Sequence, residues 1–169
     1  MATSLKTIVT AQIETTFKNL LDLSTPTDAA AVTAKIQLTN GTGANSADLC
    51  FHDTRTLAAS ANEDLDLAGS LAGPFGASQV FAEVRAIMIK AAAGNTNNVN
   101  LTRPASNGVP LFLAASDGIA IPPGGVFLWS CPADGKVAVT ASTGDLLNVA
   151  NSSSGSSVTY DVVIIGTSA

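Results

Sequence analysis

The stretch DGIAIPPGGVFLWSCPADGKVAVTASTGDLLNVANSSSGSSVTYDVVIIG, residues 117–166, decides the fold. Short apolar runs recur in it at roughly ten-residue spacing, and glycine, proline and serine separate them. This spacing is typical of antiparallel β-sandwiches and barrels. The stretch therefore predicts strands at residues 118–121, 126–130, 136–140, 146–150 and 158–165.

The rest of the chain continues the same pattern. Further strands are predicted at residues 32–39, 49–57, 63–71, 80–92, 99–102 and 109–114. A helix over residues 80–92 is possible on propensity alone, but the turn sequence AAGNTNN that follows favours a strand. The predicted fold class is an all-β, antiparallel, jelly-roll-like β-sandwich of about nine or ten strands with no helix.

The N-terminal segment mixes two periodicities. Leu5, Val9 and Ile13 belong to an alternating run, whereas Ile13, Phe17 and Leu20 have helical spacing. The many β-branched residues favour extended structure. We expect residues 1–23 to form an extended arm, or the first strand, packed against a sheet edge or a neighbouring subunit. Residues 24–169 then form a single sandwich domain.

The composition limits the classes of partner. Only 12% of the residues are charged and 46% are hydrophobic, so much of the surface is neutral and a self-associating assembly component is favoured. The eight Lys and Arg residues are scattered in a chain of net charge −5, which argues against nucleic acid. The N-terminus does not resemble a signal peptide, and no apolar stretch approaches membrane-spanning length.

Few residues of the sequence are candidates for catalysis or metal binding. Asp48, Cys50 and His52 would project from one strand face, but this spacing lacks a fourth ligand, so ordinary hydrogen bonding is favoured over zinc. The single histidine has no nucleophile pattern around it. We expect no enzymatic activity, no metal and no cofactor. Cys50 and Cys131 are predicted to be free thiols, and a disulfide between them is the alternative.

The only acidic cluster is formed by Glu63, Asp64 and Asp66. It lacks the glycine of a tight calcium loop, so a solvated strand face is favoured. Leu65 and Leu67 of the same segment should point inward. Trp129, the only tryptophan, is predicted to lie in the core.

Several phrases resemble the capsid decoration, or cement, proteins of tailed bacteriophages. They are GTGANSAD with DTRTLAASANEDLDLAGSL (within 41–71), AAAGNTNN (91–98), IAIPPGGVFLWSCP (119–132) and TASTGDLLNVANSSSGSSVTYDVVIIG (140–166). The resemblance covers most of the chain from residue 41 onward. It implies a β-sandwich without catalytic residues that sits on the outside of the capsid and bridges neighbouring major-capsid subunits.

Two functions follow as hypotheses. The first is a structural virion protein, made in the host cytoplasm and bound to the outer capsid surface. Its partners would be the phage major capsid protein and further copies of itself, with a homotrimer favoured over a homodimer on the pattern of the family. The alternative is a β-module of a tail fibre or spike that binds a host-surface glycan or receptor, for which Trp129 would have to be exposed.

Overall fold

The computed structural model describes residues 4–69, 71–134 and 136–169. Within these ranges the chain forms β-strands and no helix, which confirms the predicted all-β class. In chain order the strands are β1 (Thr7–Lys18), β2 (Thr27–Asn40), β3 (Ser46–Ala47), β4 (Leu49–Leu57), β5 (Asn62–Asp66), β6 (Leu71–Ala72), β7 (Ser78–Gln79), β8 (Glu83–Ala91), β9 (Val99–Thr102), β10 (Gly118–Ile121), β11 (Val126–Ser130), β12 (Leu146–Asn151) and β13 (Val158–Thr167).

Eight of these strands form two four-stranded antiparallel sheets. Sheet I has the order β10-β9-β12-β5, and sheet II has the order β11-β8-β13-β4. The chain pairs β4 with β13, β5 with β12, β8 with β11 and β9 with β10, so the eight strands pair first with last and inward from there. This nested pairing, shared between two sheets, is the connectivity of a jelly roll. The predicted sandwich is confirmed, and the three two-residue strands raise the strand count above the expected nine or ten.

The core lies between the two sheets and follows from the alternation of each strand. Along β13, the side chains of Tyr160, Val162 and Ile164 point inward and are buried. They belong to the same apolar cluster as Leu101 of β9 and Leu147 of β12. Side chains two residues apart share a face of a strand, so each sheet contributes one apolar face to this core.

Two of the predicted strands are wrong. Residues 109–114 lie in turns and bends, and residues 136–140 make isolated bridges but no strand. Val109 and Val137 are nevertheless buried in the core. The Val109 N–H donates to the Leu146 carbonyl at 2.9 Å as part of an isolated bridge between Gly108 and Leu146, not of a strand ladder. A buried apolar side chain therefore marks contact with the core but does not require sheet pairing.

Strands β1 and β2 form a long antiparallel hairpin, the ribbon, outside both sheets. Their pairing runs from Thr7 opposite Leu38 to Lys18 opposite Thr27. Of the N-terminal segment predicted to be extended, residues 7–18 form a strand, residues 19–23 belong to the loop of the hairpin, and residues 1–3 lie outside the described ranges. The projecting element continues to Asn40, well past the boundary predicted at residue 23.

Sheet II carries a β-bulge close to the base of the ribbon. The register of β13 on β8 steps from Ile165 opposite Ala86 to Gly166 opposite Val84, which leaves Arg85 as the extra residue. The bulge redirects the Arg85 side chain toward the loops at this end of the sheet.

The buried Arg85 guanidinium holds two of those loops together. It donates to the Thr42 carbonyl at 3.2 Å and to the Ala133 carbonyl, and it pairs with the Asp134 carboxylate. The loop that leads from the ribbon into β3 and the loop after β11 are thereby fixed to sheet II.

The bulge predicts a strong effect of adding a methyl group at Gly166. A Cβ atom there would lie 2.6 Å from Cδ1 of Phe81 and still closer to the Glu83 carbonyl oxygen. We expect Gly166→Ala to lower the free energy of unfolding by about 1–3 kcal/mol through overpacking. The matched control is Gly94→Ala, where nothing lies within 4 Å. Urea denaturation that gives both variants wild-type stability would contradict the expected close packing.

Candidate interaction surface

The ribbon has one apolar and one polar face. Residues opposite each other in the register share a face, and residues two apart share it along each strand. Ile13 therefore lies beside Val32, and Gln12 beside Thr33 on the opposite side. The apolar face carries Val9, Ala11, Ile13, Thr15 and Phe17 from β1 and Ala30, Val32, Ala34, Ile36 and Leu38 from β2, with Asp28 opposite Phe17 as its one charged residue. The polar face carries Gln12, Glu14, Thr16, Lys18, Thr33 and Lys35.

The base of the apolar face is packed within the chain. Leu38 is buried, and Val9 and Ile36 pack with it against Ala86 of β8 and Ile165 of β13. These residues form a second, smaller core on the outer side of sheet II. The base of the ribbon is therefore anchored by burial on the sandwich.

The distal part of the same face is uncovered. Ile13, Phe17 and Val32 are exposed to 73%, 74% and 72%. Full burial of each of these side chains would contribute roughly 1.5–3 kcal/mol to stability. An isolated two-stranded hairpin is only marginally stable in water, so the distal ribbon gains most from being covered. A contiguous exposed apolar face of this kind marks an interaction surface. Leu20 and Leu23, in the loop at the tip of the hairpin, are exposed as well.

A groove lies between the ribbon and the outer face of sheet II. Leu128, Met88 and Val163 stand side by side across three neighbouring strands and are only partly buried. They form most of the floor of the groove, and β1 forms its wall. The lining is Thr7, Ile8, Val9, Thr10, Ala86, Met88, Leu128, Val163 and Ile165, around a volume of about 270 Å³.

A second concavity, which is shallow and open, lies beside β4 and β13. His52, Asp53, Arg55 and Asp161 are among its lining residues. Asp161 accepts a hydrogen bond from the Thr54 hydroxyl at 2.7 Å. The charged groups at its rim are thus engaged with one another and with neighbouring hydroxyls.

An internal polar network lies behind this rim. The Tyr160 hydroxyl donates to Glu63 Oε1 at 2.7 Å, and Arg55 pairs with the other Glu63 oxygen. Arg55 also lies 3.3 Å from the Asp53 carboxylate and 5.6 Å from the centre of the Phe51 ring. Burial raises the pKa of Tyr160 above its ordinary value, and the hydrogen bond to Glu63 adds to the shift.

This network corrects the prediction for the acidic cluster. Leu65 and Leu67 are buried as expected, but Glu63 shares the inner side of β5 with Leu65 and does not lie on a solvated face. Asp64 does lie outward, where it accepts from the Asn148 amide at 2.7 Å. The pairing of Glu63 with Tyr160 could not be read from the sequence, since 97 positions separate them.

The other candidate residues are dispersed. Asp48 accepts from the Ser168 backbone at 2.8 Å and from its hydroxyl at 2.6 Å. Cys50 and His52 point outward from β4, and burial raises the pKa of the Cys50 thiol. Among the described residues no group of three His, Cys, Asp or Glu could hold a metal ion. Cys50 and Cys131 are free thiols.

Trp129 lies on the inner side of β11, next to Phe127 in alternation, and is partly buried against the main core. The prediction of a core position is supported by this packing. The side chain does not stand on the outer face of sheet II, where Leu128 is found.

Comparison with known proteins gives no relative: no family model, no curated protein and no solved structure matches this chain. In the described ranges, no helix has the length and apolar character that crossing a bilayer would require.

The polar network predicts an alkaline loss of stability. The folded state holds the Tyr160 proton more tightly than the unfolded chain, so the stabilisation is complete below about pH 10, the ordinary tyrosine pKa, and is lost as the pH rises above it. Tyr160→Phe should cost about 1–2 kcal/mol at pH 7 and should make this alkaline loss shallower.

The measurement is urea denaturation at pH 7 and above pH 10. The control is Thr159→Val, which removes an exposed hydroxyl pair with Thr56 and should change stability by less than about 0.5 kcal/mol. An identical alkaline profile for wild type and Tyr160→Phe would contradict the role given to this hydroxyl.

Proposed function

We propose that this protein is a structural assembly protein, and specifically a decoration protein of a tailed-phage capsid. It would bind the outer surface of the head and join neighbouring copies of the major capsid protein. The observation that carries the proposal is the ribbon, whose distal apolar face is uncovered in the single chain. A surface of this kind gains free energy when another chain covers it.

The virion part of the proposal rests on two supports. The first is the resemblance of the phrases between residues 41 and 166 to the decoration family. The second is fold-level analogy, since jelly rolls recur in viral capsid proteins. The same fold also occurs in lectins, which is the analogy behind the tail-fibre alternative. That alternative singles out Trp129 as its aromatic platform, and Trp129 packs against the core, whereas the exposed rings of the described chain include Phe17 on the ribbon and Phe75 in a loop.

The physical advantage of the architecture is rigidity combined with repetition. A preformed sandwich loses little conformational freedom on binding, so more of the contact free energy appears as affinity. On a closed shell each contact is repeated many times, and modest single contacts then give lasting attachment. The low charge, 12% of residues, limits the desolvation cost of each contact.

The composition of purified particles tests the proposal directly. We expect the protein in full phage particles at a copy number comparable with that of the major capsid protein, and accessible to antibody on intact heads. Quantitative mass spectrometry of purified particles measures the copy number. Absence from the particles, or a few copies at the tail only, would refute the capsid assignment.

Shortening the ribbon tests its part in attachment. Thr10 and Lys35 are opposite each other, so residues 11–34 can be replaced by an Asn-Gly turn that closes the hairpin at its base. Val9 and Leu38 at the base of the ribbon stay packed on sheet II, so the melting temperature of the protein should change by only a few degrees. Binding to particles stripped of the protein should fall at least about tenfold, through the lost contacts. Undiminished binding by this well-folded variant would remove the ribbon from the attachment mechanism.

A further inference from the structure

The distal ribbon needs a partner surface that matches a narrow apolar strip. Asp28, opposite Phe17 near the tip, is the one charged residue on the apolar face of the paired strands; from Val9 to Thr15 on β1 and from Ala30 to Leu38 on β2 this face carries no charge. Glu14, Lys18 and Lys35 all lie on the opposite face. The partner must therefore offer an apolar strip and leave the polar face of the ribbon in water.

The outer face of sheet II provides such a strip. The ribbon base already packs on Ala86 and Ile165, and the next row across the sheet is Leu128, Met88 and Val163. The groove over that row is apolar and, at about 270 Å³, lies below the usual size of small-molecule sites. It is suited to a few apolar side chains rather than to a ligand.

The wall of the groove adds a second kind of complementarity. Four successive residues of β1, Thr7 to Thr10, line it, so the strand presents its edge rather than one face. In the described chain β1 pairs with β2 alone, and its other edge is unpaired. A free strand edge binds another strand by backbone hydrogen bonds. An apolar floor beside a free strand edge fits a β-ribbon.

We propose that the ribbon of one copy docks in the groove of a second copy, so that the protein self-associates by exchange of its ribbons. This inference rests on the proposed function, in which the ribbon is an assembly element, and it names the partner. The same apolar face that anchors the ribbon base on sheet II of its own chain then continues onto sheet II of the neighbour. One chain carries both complementary surfaces, and both are uncovered in the single copy.

The size of the contact favours reciprocal exchange. The distal ribbon has eight residue pairs, from Ala11–Ala34 to Lys18–Thr27, and at ~3.4 Å per residue it is ~27 Å long. A two-stranded strip of that length buries less than the ~800 Å² per partner of a standard interface. When each copy gives one ribbon and receives one, in a pair or a closed ring, both surfaces are covered and the contacts reinforce each other.

The first test changes the apolar face of the ribbon while keeping the hairpin. Ile13→Lys with Val32→Glu places opposite charges across the two strands, a pair that supports their pairing, but it makes the face unfit for burial. We expect sedimentation velocity to show wild-type complexes at micromolar concentration. The double variant should associate more weakly by a factor on the order of 100.

The matched control is Gln12→Lys with Thr33→Glu, which puts the same charges on the neighbouring pair of the polar face. This control should associate like the wild type. A monomeric wild type at micromolar concentration, or an equal loss of association in the control, would overturn the inference.

The second test separates ribbon-in-groove docking from ribbon-on-ribbon packing. Leu128→Glu charges the groove floor and should abolish self-association although the ribbon is intact. Mixed with the Ile13→Lys/Val32→Glu variant, it should form one-to-one complexes, because one copy keeps a functional ribbon and the other a functional groove. These complexes should be weaker than the wild-type assembly, since only one of the two ribbon–groove contacts remains. Association of Leu128→Glu alone at wild-type strength, or a mixture that associates no more strongly than either variant by itself, would refute docking in the groove.

Two controls separate a loss of self-association from misfolding and from a failure of the capsid assignment. Circular dichroism and thermal unfolding show whether Leu128→Glu is folded, and Leu128→Gln, which makes the same floor position polar without a charge, replaces it if it is not. The experiment uses purified protein without particles. Self-association through the ribbon together with absence of the protein from phage heads would refute only the capsid assignment. Presence on phage heads without self-association of the purified protein would refute only the ribbon exchange.

Discussion

The pairing of β13 with β4 on one side and β8 on the other is the constraint on which the rest of the structure depends. Inner side chains of β13, such as Ile164, form the core, and outer ones, such as Ile165, anchor the ribbon base. The strand pairs residues that are distant in sequence, for example Thr54 with Asp161, which are 107 positions apart. Such long-range closure is slow to form, and the groove does not exist until it is complete.

The ribbon and the sandwich follow the same local rule with opposite results. Both alternate apolar and polar side chains with period two. In sheet II the apolar face meets sheet I and is buried, as at Val162. In the ribbon, the face that begins at the buried Leu38 continues past the edge of the second core and leaves Ile13 and Phe17 in water. The difference arises from what lies opposite each face, and this difference makes the ribbon an interaction surface.

Several charged side chains of the sandwich organise the fold. Arg85 occupies the bulge and holds two loops, and Arg55 with Glu63 and Tyr160 forms an internal network. Buried polar groups with several partners rigidify a structure, because losing one partner leaves another unsatisfied. With such charges engaged inside, the row of Leu128, Met88 and Val163 on the outer face of sheet II stays neutral, as an apolar contact requires.

The sequence by itself determined the all-β class, the jelly-roll-like sandwich and the extended N-terminal segment, because alternation and turn residues act locally. Strands such as Leu49–Leu57 and Val126–Ser130 have the bounds that the pattern predicts. Only the tertiary structure decided that β1 pairs with β2 outside the sheets, that 109–114 and 136–140 are not strands, and that Glu63 faces inward. Period two tells which side chains share a face, but it carries no information about what covers that face, and this depends on contacts between distant parts of the chain.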